Sequence, residues 1–128
     1  HIAVLVEAHL EAGRPRVDRI VAAVDCGRQI NPDLVLQQIE GGLLFGVAAA
    51  LGGTTGFRDG QATVHHLGQL NLPLLADIPD ITVELIRSEA EPGGVSELAV
   101  PPVAPAIANA LQAAAGFRFR HLPFTAPV

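Results

Sequence analysis

Apolar side chains alternate loosely through residues 2–10 (IAVLVEAHL), and many of them are β-branched. That period of two predicts a strand. Gly13, Arg14 and Pro15 form a turn signal. Residues 16–25 (RVDRIVAAVD) read as a second strand, with Val17, Ile20, Val21 and Val24 as its apolar content and Cys26–Gly27 as its end. Two strands joined by so short a turn predict an antiparallel hairpin. The period then changes. Leu34, Val35, Ile39, Leu43, Val47 and Leu51 recur at spacings of one to four, predicting a helix over 33–51. Its start is marked by Asn31 as cap, Pro32 at the first helical position and Asp33 at the positive end of the dipole. Gly52–Gly53 stops it.

Gly41, Gly42 and Gly46 fall inside this helix. Each glycine costs about 1 kcal/mol against alanine in a helix interior. Small residues at 42, 46 and 50 share one face, so another element is expected to pack very close there. Beyond it, residues 54–60 read as a polar turn, 62–66 as a short strand and 67–80 as an ordered loop with two prolines. Residues 81–86 (ITVELI) read as a strand and 89–102 as a long Gly/Pro loop. Pro101 or Pro102 opens a second helix that Gly116 ends, with Val103, Ile107, Ala110, Leu111 and Ala114 as its stripe. The tail, FRFRHLP, is expected to add a last short strand. The order predicts an α+β fold: two helices packed on a small mixed, largely antiparallel sheet.

Composition narrows the function. The 128 residues are 49% hydrophobic and 16% charged, with net charge −5, so intrinsic disorder is excluded. All eight basic residues are arginine, and no basic footprint for nucleic acid exists. One cysteine permits neither an internal disulfide nor a multi-thiolate zinc site. The opening residues lack a secretory signal's basic region and cleavage site. The most apolar run, residues 41–53, is 13 residues long, short of the about 20 that a bilayer span needs. No membrane span is therefore expected, and the compartment, cytoplasmic or periplasmic, stays open. With no Met and a start inside an apolar run, the chain is expected to be a piece of a longer protein.

Two segments carry candidate chemistry. In Gly93-Gly94-Val95-Ser96-Glu97, a glycine pair lets backbone approach a ligand, and a carboxylate stands just before a helix. The alternative is an acid that only complements the helix dipole. In Gln37-Gln38-Ile39-Glu40-Gly41-Gly42, an amide beside bare backbone can bond a polar cofactor. The alternative there is a solvated helix face followed by a tight helix crossing. His65 and His66 are adjacent, so on a strand they point to opposite faces and cannot chelate one ion. No metal site built from side chains is expected. Cys26 reads as a small buried hydrophobe.

Three segments together resemble a known family: VDCGRQINPDLVLQQIEGGLLFGVAAAL (24–51), PGGVSELAVPPVAPAIANAL (92–111) and GFRFRHLP (116–123). They are similar to the C-terminal part of the molybdopterin-binding large subunit of the xanthine dehydrogenase and aldehyde oxidase family, of the isoquinoline 1-oxidoreductase beta-subunit type. The resemblance runs in order over nearly the whole chain.

The resemblance implies a single domain, 1–128, from a larger molybdenum hydroxylase. Such an enzyme oxidises an N-heterocycle or an aldehyde with water as the oxygen source. It implies a molybdenum–pterin cofactor, in bacteria often the cytosine dinucleotide form. By the same resemblance Glu97 is the general base, Gln38 contacts the cofactor, and the backbone of Gly94, Val95 and Ser96 lies against it. Ser96 stands where glycine is usual, and Leu98–Ala99 replace the common Pro-Gly. The remainder of the large subunit and an iron–sulfur or haem partner would complete the enzyme. This chain alone is expected to bind no cofactor, to be inactive, and to self-associate through an uncovered apolar face. The rival expectation is a non-catalytic α+β interaction or assembly module that keeps the fold. A catalytic lineage should leave the Glu97 loop open to a cofactor, whereas a structural module could bury it.

Overall fold

The computed structural model describes residues 1–125. β1 (Ile2–Glu11) and β2 (Arg14–Val24) form the expected hairpin. The turn is Ala12–Gly13, with φ of 50° and 77°, so Arg14 and Pro15 already belong to β2. Left-handed backbone at both central positions is the primed turn whose twist matches that of the strands it joins. The register slips once, between Glu7 and Ala8.

α1 (Pro32–Leu51) starts as its sequence dictates. The Asn31 side-chain oxygen accepts the Leu34 N–H at 3.2 Å, and Pro32 fills a position whose N–H would be unpaired. The short strand expected at 62–66 is displaced. Only Gln61–Ala62 (β4) is extended, paired with Phe57–Arg58 (β3) in a two-residue hairpin. The loop that follows holds single 3₁₀ turns at Leu67–Gln69 and Leu75–Asp77. β5 (Asp80–Leu85) then pairs in parallel with β2, giving the sheet order β1-β2-β5. α2 (Val103–Ala115) ends at Gly116, which is left-handed and donates to the Gln112 carbonyl.

The tail is not the strand its alternation suggested. Its bulky rings pack instead of pairing: Phe119 and Phe124 are buried, and Phe119 lies 4.8 Å from Phe117 and 5.4 Å from Phe124, centroid to centroid. The Phe124 N–H donates to the Ala50 carbonyl at the end of α1, tying the tail to that helix.

Both helices cover one face of the sheet, α2 over β1 and α1 against β5 and α2. Between them lie Ile20, Ala22 and Val24 of β2, Ile39, Leu43 and Val47 of α1, and Val103, Ile107 and Leu111 of α2. The other face is uncovered, with Leu5 74% exposed on it. The close approach expected at the helix glycines is found. A Cβ on Gly42 would stand 2.9 Å from the Ala99 Cβ, and one on Gly46 would stand 2.7 Å from the Val103 Cβ. At 20 residues, α1 is long and apolar enough to cross a membrane by length and composition, which the run 41–53 was not. Here its Ile39, Leu43, Val47 and Ala50 face is packed into the core.

Candidate functional site

The C-terminal ends of two adjacent parallel strands, β2 and β5, bring the two candidate segments together. The chain leaving β2 turns at Gly27, where φ is +75° and an added Cβ would fall on the Glu91 carbonyl, so a side chain there would push the two segments apart. Two backbone bonds lock the contact. The Arg28 N–H donates to the Ala90 carbonyl at 2.9 Å, and the Gly93 N–H donates to the Cys26 carbonyl at 2.7 Å. The loop after β5 is thereby pinned across the turn that leads into α1.

From α1, Gln38 reaches the same loop. Its Nε2 donates to the Ser96 carbonyl at 2.9 Å. Gln38 and Ser96, paired by the resemblance as cofactor contacts, are therefore direct neighbours. The backbone N–H groups of Gly94, Val95 and Ser96 donate to no backbone carbonyl among the described residues. Gly94, Ser96 and Glu97 are exposed and Val95 half-buried. No heavy atom lies within 4 Å of where a Cβ on Gly94 would be. The Glu97 carbonyl accepts the Val100 N–H, fixing the backbone just before α2 while its carboxylate faces solvent. Open backbone donors, an amide and a carboxylate fit a polar cofactor of the kind the resemblance implies.

A cleft of about 350 Å³ runs between this loop and the start of α1. Gln38, Val95 and Ser96 line it, together with Arg28, Gln29 and Asn31. Glu97 and Gly94 do not line it and stand beside it on the same loop. Sequence reasoning missed Arg28, Gln29 and Asn31 as part of the site. Their signal was position: they follow the end of a strand whose neighbour carries the candidate loop. Cys26 is 8% exposed, as a small buried hydrophobe should be. Among the described residues no cluster of His, Cys, Asp and Glu could hold a metal ion.

A larger cleft, about 570 Å³, lies elsewhere, between the β1–β2 turn, the end of α1 and the Leu72–Asp77 segment. None of the candidate residues lines it. The Arg16–Asp77 ion pair at 2.7 Å lies in its lining. The Asp77 carboxyl is held below the usual carboxylate range, first by the Leu74 N–H that donates to it and then by Arg16. The folded chain thus binds this proton more weakly than the unfolded chain. Asp77 contributes stability above the ordinary carboxylate pKa of about 4, and the contribution is lost as pH falls through the lowered value. Asp77→Asn is expected to lower the thermal midpoint at neutral pH, with the gap to wild type closing in acid. Equal midpoints at neutral pH would contradict this.

Comparison with known proteins agrees with the geometry. The molybdopterin cofactor-binding domain family matches residues 1–79. Isoquinoline 1-oxidoreductase subunit beta of Brevundimonas diminuta is 32% identical over 96% of this chain and 16% of its own length. The aldehyde oxidoreductase molybdenum-binding subunit of Escherichia coli K12 is 35% identical over 94% of this chain and 18% of its own. The chain thus spans less than a fifth of these relatives. The crystal structure of quinoline 2-oxidoreductase from Pseudomonas putida 86 superposes with a TM-score of 0.68 at 28% identity, covering 73% of this chain and 13% of that one. Fold, motif order and these matches agree: the chain belongs to the molybdopterin cofactor-binding domain family.

Proposed function

We propose that residues 1–128 form one domain, the C-terminal portion of the large subunit of a molybdenum hydroxylase that oxidises an N-heterocycle or an aldehyde with water as the oxygen source. The observation that carries this reading is the open loop 93–97, pinned to the end of β2 and bonded to Gln38, with an exposed carboxylate and with Gly94, Val95 and Ser96 N–H groups that meet no backbone acceptor among the described residues. A non-catalytic module would have no need to keep that loop uncovered.

When bound, the molybdenum–pterin group, in the cytosine dinucleotide form, supplies the two-electron redox change. The chain supplies the rest of this wall of the site. The backbone of Gly94, Val95 and Ser96 lies against the cofactor, and Gln38 holds the Ser96 carbonyl so that the loop keeps its shape. A carboxylate oxygen of Glu97 takes the proton from the water-derived oxygen as it bonds to the substrate carbon, general-base chemistry that needs only hydrogen-bond reach. The overall change replaces a C–H by a C–OH, with water as reactant and two protons and two electrons as the other products. The electrons leave through an iron–sulfur or haem partner. The remainder of the large subunit supplies the substrate pocket, and this chain alone is inactive.

The test uses the full-length subunit with its redox partner, turned over in ¹⁸O-labelled water. The reading expects molybdenum and pterin in the purified enzyme and label in the product. Turnover without molybdenum, or oxygen drawn from O₂, would overturn it.

A further inference from the structure

The cleft of about 570 Å³ lies at the start of β2, and none of Gln38, Ser96 and Glu97 lines it. Its floor is apolar: Val47 and Phe124 are buried, Leu51 is half-buried and Leu72 is 45% exposed. Most of its polar side chains are already committed. Asn71 donates to the Leu51 carbonyl at 3.3 Å, and Arg16 is held by Asp77 at 2.7 Å and by Glu11 at 3.6 Å. Asp77 is the only carboxylate in the lining among the described residues. The Leu74 N–H and Arg16 hold it below the usual carboxylate range, so it stays charged and paired at neutral pH. Arg14 differs. Among the described residues it takes part in no ion pair, although the chain carries net charge −5. Its backbone is fixed by the left-handed turn at Gly13 and by strand pairing with Glu11.

We propose that this cleft is a binding site for a monocarboxylate with an apolar body, the carboxylate held by Arg14 and the body lying on Leu51, Leu72 and Phe124. Two arginines against one aspartate leave the lining one positive charge, which favours an anion. A guanidinium fork meets both oxygens of a carboxylate at once and is always charged. Small-molecule sites are largely apolar, carry few placed polar groups and measure about 300–1,000 Å³, and this cleft has each of these properties. An apolar body would take the exposed part of Leu72 out of water, which acetate would leave wet. A dicarboxylate would have to set its second charge on the apolar floor or beside Asp77, and an unpaired buried charge is costly.

The experiment follows ¹H–¹⁵N spectra of the ¹⁵N-labelled chain during titration with phenylacetate, with its neutral counterpart phenylacetamide, and with acetate, which lacks the apolar body. Phenylacetate is expected to give saturable shifts at the amides of Arg14, Leu51 and Leu72, and the other two should bind about tenfold more weakly. Arg14→Gln should bring phenylacetate down to the level of the amide and leave the amide's own binding unchanged. Arg14→Lys should keep part of the preference, while Arg58→Gln, which alters charge away from the cleft, should change nothing. Equal affinity for acid and amide in wild type, or an Arg14→Gln chain that keeps the preference, overturns the assignment of Arg14. Acetate binding as tightly as phenylacetate overturns the role of the apolar floor. Phenylacetate shifts that do not saturate, or that stay away from residues 14, 51 and 72, reject the site. Should Arg14→Gln not fold, Leu72→Ser decides: a phenylacetate affinity equal to wild type rejects the proposal, and a loss of about tenfold with acetate unchanged supports it.

Discussion

Glu97→Gln in the full-length enzyme is expected to lower turnover by about 10²–10⁴-fold, the range a positioned general base contributes, while molybdenum and pterin stay in place. The substitution is isosteric and removes only the capacity to hold a proton. The fold loses nothing that the structure shows. The Glu97 side chain is exposed, and the residue's contribution to the start of α2 is its carbonyl, which the variant keeps. Steady-state rates with metal analysis on the same samples check this. Turnover near wild type would remove Glu97 from the mechanism. Turnover and molybdenum lost together would mean that the carboxylate serves binding and not proton transfer.

Gly46→Val is expected to destabilise the chain by about 3 kcal/mol, at the upper end of what overpacking a well-filled core costs. The first added carbon would already stand 2.7 Å from the Val103 Cβ, 2.8 Å from its Cγ2 and 2.9 Å from the Val100 carbonyl oxygen. Val103 is fully buried, and the carbonyl is backbone just before α2, so neither can swing away. Relief requires α2 to back off from α1, carrying the loop that ends at Glu97 with it. Gly41→Ala is the internal control. Nothing lies within 4 Å of a Cβ at that exposed position, so alanine should raise stability by up to about 1 kcal/mol through helix propensity alone. Denaturant unfolding of both variants checks the pair. A Gly46→Val chain as stable as wild type, or a loss at Gly41 as large as that at Gly46, would contradict the packing described here.

These glycines show how much the sequence discloses. Three of them in a helix predicted a close neighbour, and two of them, Gly42 and Gly46, meet it in Ala99, Val100 and Val103, while Gly41 faces open space. What the pattern could not show was which element it would be, because that is set by tertiary packing. The hairpin, both helices and the strand at 81–86 were legible because each has its own strong period or a cap such as Asn31. Two readings failed where alternation was mistaken for pairing. At 62–66, His65 and His66 carry no apolar face to bury, and pairing stops at Ala62. In the tail, Phe117 and Phe119 alternate with arginines as strand residues would, yet the rings gain more by stacking with one another and with Phe124. The candidate residues Gln38 and Ser96 were legible as separate segments, and their hydrogen bond across 58 positions follows only from the parallel placement of β5 beside β2. Arg28 was hidden for the same reason: that it lines the same cleft is seen only once its turn is placed beside that loop.

The central claim is that the loop around Gly94 forms a wall against which the molybdenum cofactor lies. The most direct measurement is the molybdenum and pterin content of the full-length subunit carrying Gly94→Val. Among the described residues no heavy atom lies within 4 Å of a Cβ there, so the thermal midpoint should match wild type. The cofactor, however, would meet it, and bound molybdenum should fall by about 10–100-fold, as when the support of a metal site is disturbed. Full molybdenum in a stably folded Gly94→Val subunit would contradict the account.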